Sequence, residues 1–331
     1  MTKQWTAGSL QELLRSHQLP FIVLVLLRRG VFDRLIEAPA TAQDMAQACG
    51  VDEGALIRLL NVITSVGILQ HREGTYSLAP ELAAELTTDI GSPLDAFKHA
   101  AEGLDKWVEL ETVLERGFAD YAYDRDVTRD PARNENFIRA MHAHSGPMAR
   151  RFAELVPRGG AMTFLDVGGG PGTFCHALLD AWTDLKATIA DLPLTLRVAR
   201  TLVAEKGLAD RLSLIEADFF LDRKSNLGGP YDLILVSAVI HAEAEVPCRD
   251  LFERLHAVTS PGGRIVVRER ILDEDRTGPP PATMFDAHML VSTRRGRCYS
   301  LSEISSMLTG AGFRNPRLLS DLDEGFVIAD A

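Results

Sequence analysis

The sequence predicts an α/β fold, a doubly wound and mostly parallel sheet, preceded by an N-terminal helical unit. Two observations predict the sheet. From Met162 onward strand-like and helix-like runs alternate, and the first of these strands ends in a turn carrying four glycines, LDVGGGPGTF at residues 165–174. A third predicts the unit before it: up to about residue 90 the periodicity is helical and closes on a short ribbon.

Taken in order, the run Ile22–Leu27 in LPFIVLVLLRRGVF reads as a buried helix whose apolar stretch is too short to span a bilayer. Thr41 is placed to cap a helix ending near Gly50, and Leu56, Leu59, Leu60 and Ile63 fall at helical spacing in the next one. GILQH and TYSLA follow as two short strands joined through REG. Helix, helix, hairpin is a winged-helix pattern, which serves either to read DNA or to pair subunits. A reading helix presents several Lys or Arg to phosphates and bases, whereas residues 53–65 offer only Arg58, so pairing of subunits in a homodimer is expected. Residues 1–95 are assigned to this dimerisation domain, 96–155 to a helical bridge with a polar stretch around YDRDVTRDPAR, and 156–331 to the sheet domain. There TFLDV, ATIAD, LSLIEAD, YDLILVSAVI and RIVVRERIL are the expected strands, and ALLDAW, LRVARTLVAEKG, CRDLFERLHAVT and LSEISSMLTGAGF the helices. FVIAD is expected as a last, edge strand, and TGPPPA as a Pro-rich loop.

A formal net charge of −11 over 331 residues works against attraction to phosphate backbones or anionic lipids, so neither nucleic acid nor a membrane is expected as a partner. Cys49, Cys175, Cys248 and Cys298 lie far apart with no Cys-x-x-Cys pair. That predicts neither a disulfide framework nor a zinc site, and fits a reducing cytoplasm. The N-terminal segment lacks the basic, apolar and small-residue succession of a secretory leader.

The glycine turn falls at the C-terminal edge of a parallel sheet, where open α/β folds bind ligands. Glycine supplies positive φ and lets a ligand lie directly on the backbone. A purely structural tight turn reads the same way. What sharpens the frame is Asp191, 25 positions after Asp166 and at the end of the next strand, suited to hydrogen-bond a ribose diol. A turn for a dinucleotide typically reads Gly-x-Gly-x-x-Gly around a pyrophosphate; here the third glycine comes one residue early and the strand ends in an acid. A carboxylate at Asp166 would repel a pyrophosphate and suit a cofactor with a cationic amino-acid end, such as S-adenosylmethionine.

FLDVGGGPGTF, ADLP, EADFF, GGRIVVRERIL and GAGFRNPRLL, in that order, resemble the successive motifs of the class I methyltransferases, and in detail the bacterial small-molecule O-methyltransferases related to caffeate and hydroxyindole enzymes. The N-terminal segment is similar to the winged-helix dimerisation domain of that family, so the resemblance covers nearly the whole chain. It implies a Rossmann-like sheet and S-adenosylmethionine as cofactor. It also implies Gly168 and Gly170 at the methionine portion, Asp191 at the ribose, and Asp218 and Phe219 at the adenine; Asp166, Leu192 and Ser237 complete the candidate cofactor contacts.

Methyl transfer from a sulfonium asks mainly that nucleophile and methyl be held in line. A phenol with a pKa near 10 is ionised in only about one molecule in a thousand at neutral pH, so a nearby base is needed. His241 follows the strand-like LILVSAVI and matches the catalytic histidine of the family; Glu269, in VVRERIL, matches the carboxylate that orients it. The plain readings are a loop histidine and a salt bridge from Glu269 to Arg268 or Arg270. Two departures stand out: His241-Ala242-Glu243 replaces the common His-Asp-Trp, and Cys298 stands where plant members place a second carboxylate. They keep a nitrogen or carbon acceptor, or other chemistry on the same cofactor, open beside oxygen. Trp107, Phe137, Met141, Met284 and His288 are the candidate acceptor-pocket residues, since aromatic faces and thioethers hold flat acceptors. His142, His144, His241 and His288 show no metalloenzyme spacing, and no metal is expected. A nicotinamide-dependent oxidoreductase and a winged-helix ligand-sensing regulator are the alternatives of other classes.

Overall fold

The computed structural model describes residues 4–119, 130–320 and 325–331. The expected polar stretch at 123–133 lies outside them up to residue 129. The chain divides into two compact units, Met1–Asp105 and Lys106–Ala331. Helix Pro93–Glu102 packs on helix Gln18–Arg28 within the first unit, whereas helix Pro131–Leu155 packs on helix Thr173–Ala181 within the second. The segment 96–155 is therefore shared between the two units.

In the first unit Thr41 accepts the Asp44 N–H at the start of helix Ala42–Cys49, and Asp52 accepts from Ala55 at the start of Glu53–Ser65. Leu56, Leu60 and Ile63 form the buried stripe of the latter. β1 (Leu69–Arg72) and β2 (Thr75–Leu78) pair antiparallel, and Ala40 bridges to Tyr76. The Ile22–Leu27 run is helical, but only Leu26 and Leu27 are buried; the rest of the run is half-buried. Helices Ala7–Ser16 and Gln18–Arg28 form a nearly continuous run of 22 residues, and with that length the run is long and apolar enough to cross a membrane. Counting only the apolar core of the second helix had made it too short.

The second unit is a seven-stranded sheet in the order β5-β4-β3-β6-β7-β9-β8. β3 (Thr163–Val167), β4 (Lys186–Asp191), β5 (Leu212–Glu216), β6 (Tyr231–Ser237) and β7 (Thr259–Glu269) are parallel; β9 (Gly325–Asp330) runs antiparallel to β7, and β8 (Arg314–Ser320) to β9. Alternation decides which face each residue covers. On β3 Leu165 and Val167 join the apolar cluster with helices Glu245–Ala257 and Leu301–Gly310, while Phe164 joins the opposite one with Pro131–Leu155 and Thr173–Ala181. From β3 the chain winds outward through β4 and β5, then returns to β6 on its other side. That reversal opens a crevice at the C-terminal ends of β3, β4 and β6.

Two expectations are corrected. FVIAD is an inner strand, because Arg314–Ser320 adds the edge outside it; that edge tolerates Pro316, which cannot donate to a ladder, at a break in register. The TGPPPA stretch opens a helix, Pro280–Ser292, whose leading prolines occupy the first turn where no N–H is needed.

Candidate active site

β3 delivers Asp166 and then the glycine turn to the crevice. Gly168 has φ 68° and its N–H bonds the Ala190 carbonyl at 2.8 Å. A methyl group on it would stand 2.6 Å from Val239 Cγ2 and 3.4 Å from the Phe219 ring, so this residue lets β3, β6 and the Phe219 turn close on one another. Gly170 (φ 54°) has only Ile138 Cδ1, at 3.9 Å, near the place of a side chain, and its N–H donates to Asp191 Oδ2 at 2.8 Å. The bareness of the turn thus serves packing at Gly168 and access at Gly170.

Asp166 corrects the charge argument made from sequence. It is 0 % exposed, Oδ1 has no hydrogen-bond partner among the described residues, and Oδ2 takes a weak bond from Cys175 Sγ at 3.7 Å. Burial pushes its pKa up to about 8, so the bare chain holds it protonated at neutral pH. A neutral acid repels no pyrophosphate. An ammonium group brought beside it would restore the carboxylate.

Asp191, at the end of β4, accepts from Leu192 N–H at 2.7 Å on Oδ1 and from Gly170 N–H on Oδ2. Burial raises its pKa to about 6, opposed by those bonds and one from Thr195. Each carboxylate oxygen takes more than one donor, so a ribose diol fits without displacing the turn. Asp218 Oδ1 accepts from the N–H groups of Phe220 and Leu221 at 3.3 and 2.8 Å, fixing the turn that holds Phe219 near Gly168. Ser237 Oγ accepts from Arg268 Nη1 at 3.1 Å. The buried partly apolar cradle and its paired acids fit an adenosyl cofactor with an amino-acid end.

Beyond β6 the chain turns sharply through Ala238, a non-glycine residue at φ 56°, into the single turn Ile240–Ala242. Glu269 holds this turn from the end of β7. Its Oε1 accepts the N–H groups of Val239 and Ile240, both at 3.0 Å, and of His241 at 3.4 Å; its Oε2 lies 2.7 Å from His241 Nδ1. The carboxylate therefore accepts the Nδ1 proton and leaves Nε2 as the basic nitrogen. Arg268, which precedes Glu269 on β7, bonds Ser237, and Arg270, just past the end of the strand, lies beside His144.

The departures around the histidine are structural. Glu243 Oε1 pairs with Arg295 at 2.8 Å, its carbonyl accepts the Tyr299 hydroxyl at 2.6 Å, and the His241 carbonyl accepts Arg297 N–H at 2.9 Å, so the segment 295–299 braces the turn from behind. Cys298 is buried in that segment, its N–H bonded to Asp286 Oδ1 at 2.6 Å. Burial and the nearby acids Asp286 and Glu269 push its thiol up to about 12, so it stays protonated. Cys298 offers no second carboxylate.

A cavity of about 320 Å³ is lined by Trp107, Arg270, Pro281, Met284, Phe285 and His288. Three of the five expected pocket residues, Trp107, Met284 and His288, meet there. Phe137 and Met141 lie half-buried on helix Pro131–Leu155 and do not line it. The rings form a ladder: Trp107 to His288 at 6.0 Å, His288 stacked on Phe285 at 5.9 Å, and Phe285 edge-on to His241 at 4.9 Å. Burial first, then the neighbouring Lys106, His241 and Arg270, push His288 down to about 4, so it is neutral at pH 7. His142 bonds Thr173 and His144 contacts Arg270, so these histidines point to separate partners. Phe285 and Arg270 were not singled out as pocket residues from sequence. Met284, Phe285 and His288 share helical spacing, a signal hidden by reading their start as a loop.

The O-methyltransferase domain family matches residues 107–314. The mitomycin biosynthesis 6-O-methyltransferase of Streptomyces lavendulae is 30% identical over 305 residues, 89% of this chain and 85% of that protein. The 3-hydroxy-5-methyl-1-naphthoate 3-O-methyltransferase of Streptomyces sahachiroi is 27% identical over 294 residues, 86% and 83% of the two chains. The fold matches the crystal structure of human N-acetylserotonin methyltransferase in complex with SAM at a TM-score of 0.82 and 22% identity, covering 100% of this chain and 99% of that one.

Proposed function

The chain belongs to the O-methyltransferase domain family, and on that premise we propose that it transfers a methyl group from S-adenosylmethionine to a hydroxyl of a small aromatic acceptor, with His241 as general base and Glu269 as its orienter. The observation that carries the proposal is the 2.7 Å pairing of Glu269 Oε2 with His241 Nδ1, one ring away from an aromatic cavity. When bound, the cofactor supplies an electrophilic methyl group on a sulfonium. Gly168 and Gly170 would lie along its methionine portion, with Asp166 beneath and Ser237 beside, Asp191 and Leu192 at the ribose, and Asp218 and Phe219 at the adenine.

The residues of the chain then manage one proton. A phenol in the cavity presents its hydroxyl toward His241, and Nε2 takes the proton as the oxygen becomes nucleophilic. The resulting imidazolium keeps its Nδ1–H on Glu269, whose negative charge stabilises it in a poorly hydrated place. Trp107, Phe285 and Met284 hold the ring flat. The named acceptor of the Streptomyces sahachiroi relative, a hydroxynaphthoate, supports an aromatic hydroxyl as the target.

The same reading gives the first unit a winged-helix dimerisation role. Leu10, Leu13, Leu14 and Phe21 are exposed on the first two helices and Trp5 just before them, interleaved with Gln11, Glu12 and Arg15, which suits a second copy of the chain better than a bilayer. The acidic net charge supports the absence of nucleic acid as a partner, and the four free cysteines support a cytoplasmic setting.

Calorimetric titration with S-adenosylhomocysteine, with NAD as control and Asp191→Ala as site check, tests the cofactor. Labelled-methyl uptake by a panel of phenols tests the transfer. Binding weakened by the substitution, with uptake lost in His241→Ala, is the expected result; a folded chain that binds NAD instead overturns the reading.

A further inference from the structure

We infer that the acceptor carries a carbonyl group besides the hydroxyl that is methylated, and that His288 selects it by donating a hydrogen bond from Nδ1. The inference rests on the proposed methyl transfer and names the substrate class of that same site.

A neutral imidazole has one N–H and one bare nitrogen, and the partner of either decides which is which. His288 is neutral at pH 7, and its Nε2 lies 3.3 Å from Ser292 Oγ, one turn on in helix Pro280–Ser292. Ser292 is 1% exposed, and Nε2 is the sole hydrogen-bond partner of its hydroxyl among the described residues. A hydroxyl always holds a hydrogen to give, and a buried donor left without an acceptor is costly. The hydroxyl therefore donates to Nε2, which makes that nitrogen the bare one and puts the ring proton on Nδ1.

The Nδ1–H is the group left to a ligand. Among the described residues it has no partner, and it is not sealed in the interior. His288 lines the cavity, its ring held by Trp107 at 6.0 Å and by Phe285 at 5.9 Å between centroids. These contacts fix the plane of the imidazole, and the N–H lies in that plane. A carbonyl conjugated to an aromatic acceptor stands at the rim of its ring, with its lone pairs in the ring plane, where an in-plane donor meets them. Phe285 also touches His241, edge-on at 4.9 Å. An acceptor ring beside Phe285 therefore reaches the base with its hydroxyl and His288 with its carbonyl. An analogue without the carbonyl leaves the N–H unpaired once water is displaced, the situation in which a pocket discriminates most strongly.

The test uses the full chain loaded with S-adenosylhomocysteine. NMR of isotopically labelled imidazole nitrogens, assigned against His288→Phe, should show the His288 proton on Nδ1; a proton on Nε2 overturns the inference. Calorimetry then compares hydroxyacetophenones with the matching ethylphenols, and hydroxynaphthaldehydes with the matching methylnaphthols. At least one carbonyl compound is expected to bind about tenfold or more tighter than its partner. His288→Phe keeps a flat ring against Trp107 and Phe285 but has no N–H, and should lower that ratio by about tenfold. His288→Asn, whose amide nitrogen stands where Nδ1 does, should restore most of it. Both variants should keep the affinity for S-adenosylhomocysteine, which shows them folded. A carbonyl also acidifies the phenol, an effect that His288→Phe leaves in place, so the difference between the chains isolates the hydrogen bond. A ratio unchanged in His288→Phe, a ratio that His288→Asn fails to restore, or a panel with no preference for the carbonyl overturns the inference. Failure of the underlying function registers separately: carbonyl compounds bound through His288 but no labelled-methyl uptake would remove the methyl transfer and leave the donor site standing.

Discussion

Glu269 grips His241 at both ends, with Oε2 2.7 Å from the ring Nδ1 and Oε1 3.4 Å from its backbone nitrogen, while Oε1 also takes the N–H groups of Val239 and Ile240. One buried carboxylate therefore sets the tautomer of the base and builds the turn that carries it. His241→Ala removes only the first function. It should lower turnover on the order of 100- to 10,000-fold while leaving affinity for S-adenosylhomocysteine within about twofold. Glu269→Ala removes both, orphaning buried N–H groups at about 1–3 kcal/mol each, so its Tm should fall by roughly 10 °C where that of His241→Ala hardly moves. Equal melting of the two variants would remove the capping role. Kinetics and thermal melts on the same preparations decide it.

Gly168 gives a second separation, between backbone strain and collision. Its φ of 68° costs about 1 kcal/mol for any L side chain, and a methyl group there meets Val239 Cγ2 at 2.6 Å. Gly168→Ala should lose cofactor affinity by at least about tenfold and lower Tm. Adding Val239→Ala removes the collision but not the strain, so the pair should be less destabilised than the sum of its members. Strict additivity in that double-mutant cycle would show that the two residues do not meet.

Asp191 binds two backbone donors with two oxygens, one to Leu192 and one to Gly170. Asn has one acceptor oxygen, so Asp191→Asn must leave one N–H poorly satisfied and turn an amide toward the ribose. Its Kd for S-adenosylhomocysteine should rise roughly ten- to a hundredfold by calorimetry. An unchanged Kd would show that the ribose lies elsewhere.

The parts of the site that were legible in the sequence sit at strand ends inside local strings: the glycine turn after TFLDV, Asp191 after ATIA, His241 after LILVSAVI, Glu269 in VVRERIL. Chain order alone places such residues on one edge of a parallel sheet. The cavity wall was less legible because it is made across the chain. Arg270 is read as a neighbour of Glu269 until the fold brings its guanidinium over Phe285 and beside His144, residues distant in the chain. Phe285 disappears while TGPPPA is read as a loop, although prolines in a first helical turn cost nothing. RNPRLLS gives no alternation and contains Pro316, so its edge strand was missed and FVIAD took its place. Asp166 was found, but its charge was misjudged, since burial is a property of the fold and not of the motif.

That burial makes the last prediction one of pH. Asp166 has a folded pKa near 8 against an ordinary value of 3.8, so between those values the native chain binds more protons than the unfolded one and this residue makes stability fall as pH rises. Asp191, raised to about 6, acts with the same sign but is finished sooner. His176 and His288, both pushed down to about 4 by burial, act with the opposite sign below pH 6.5, because the native chain then holds fewer protons. The melting profile of the chain mixes these terms, whereas its difference from Asp166→Asn isolates one. The Tm of the variant minus that of the parent should rise steadily from pH 5 to pH 8 and level off above it, since an amide has no charge to bury. A flat difference would mean that Asp166 is already ionised and solvated in the bare chain, and the neutral acid beneath the glycine turn would have to be given up.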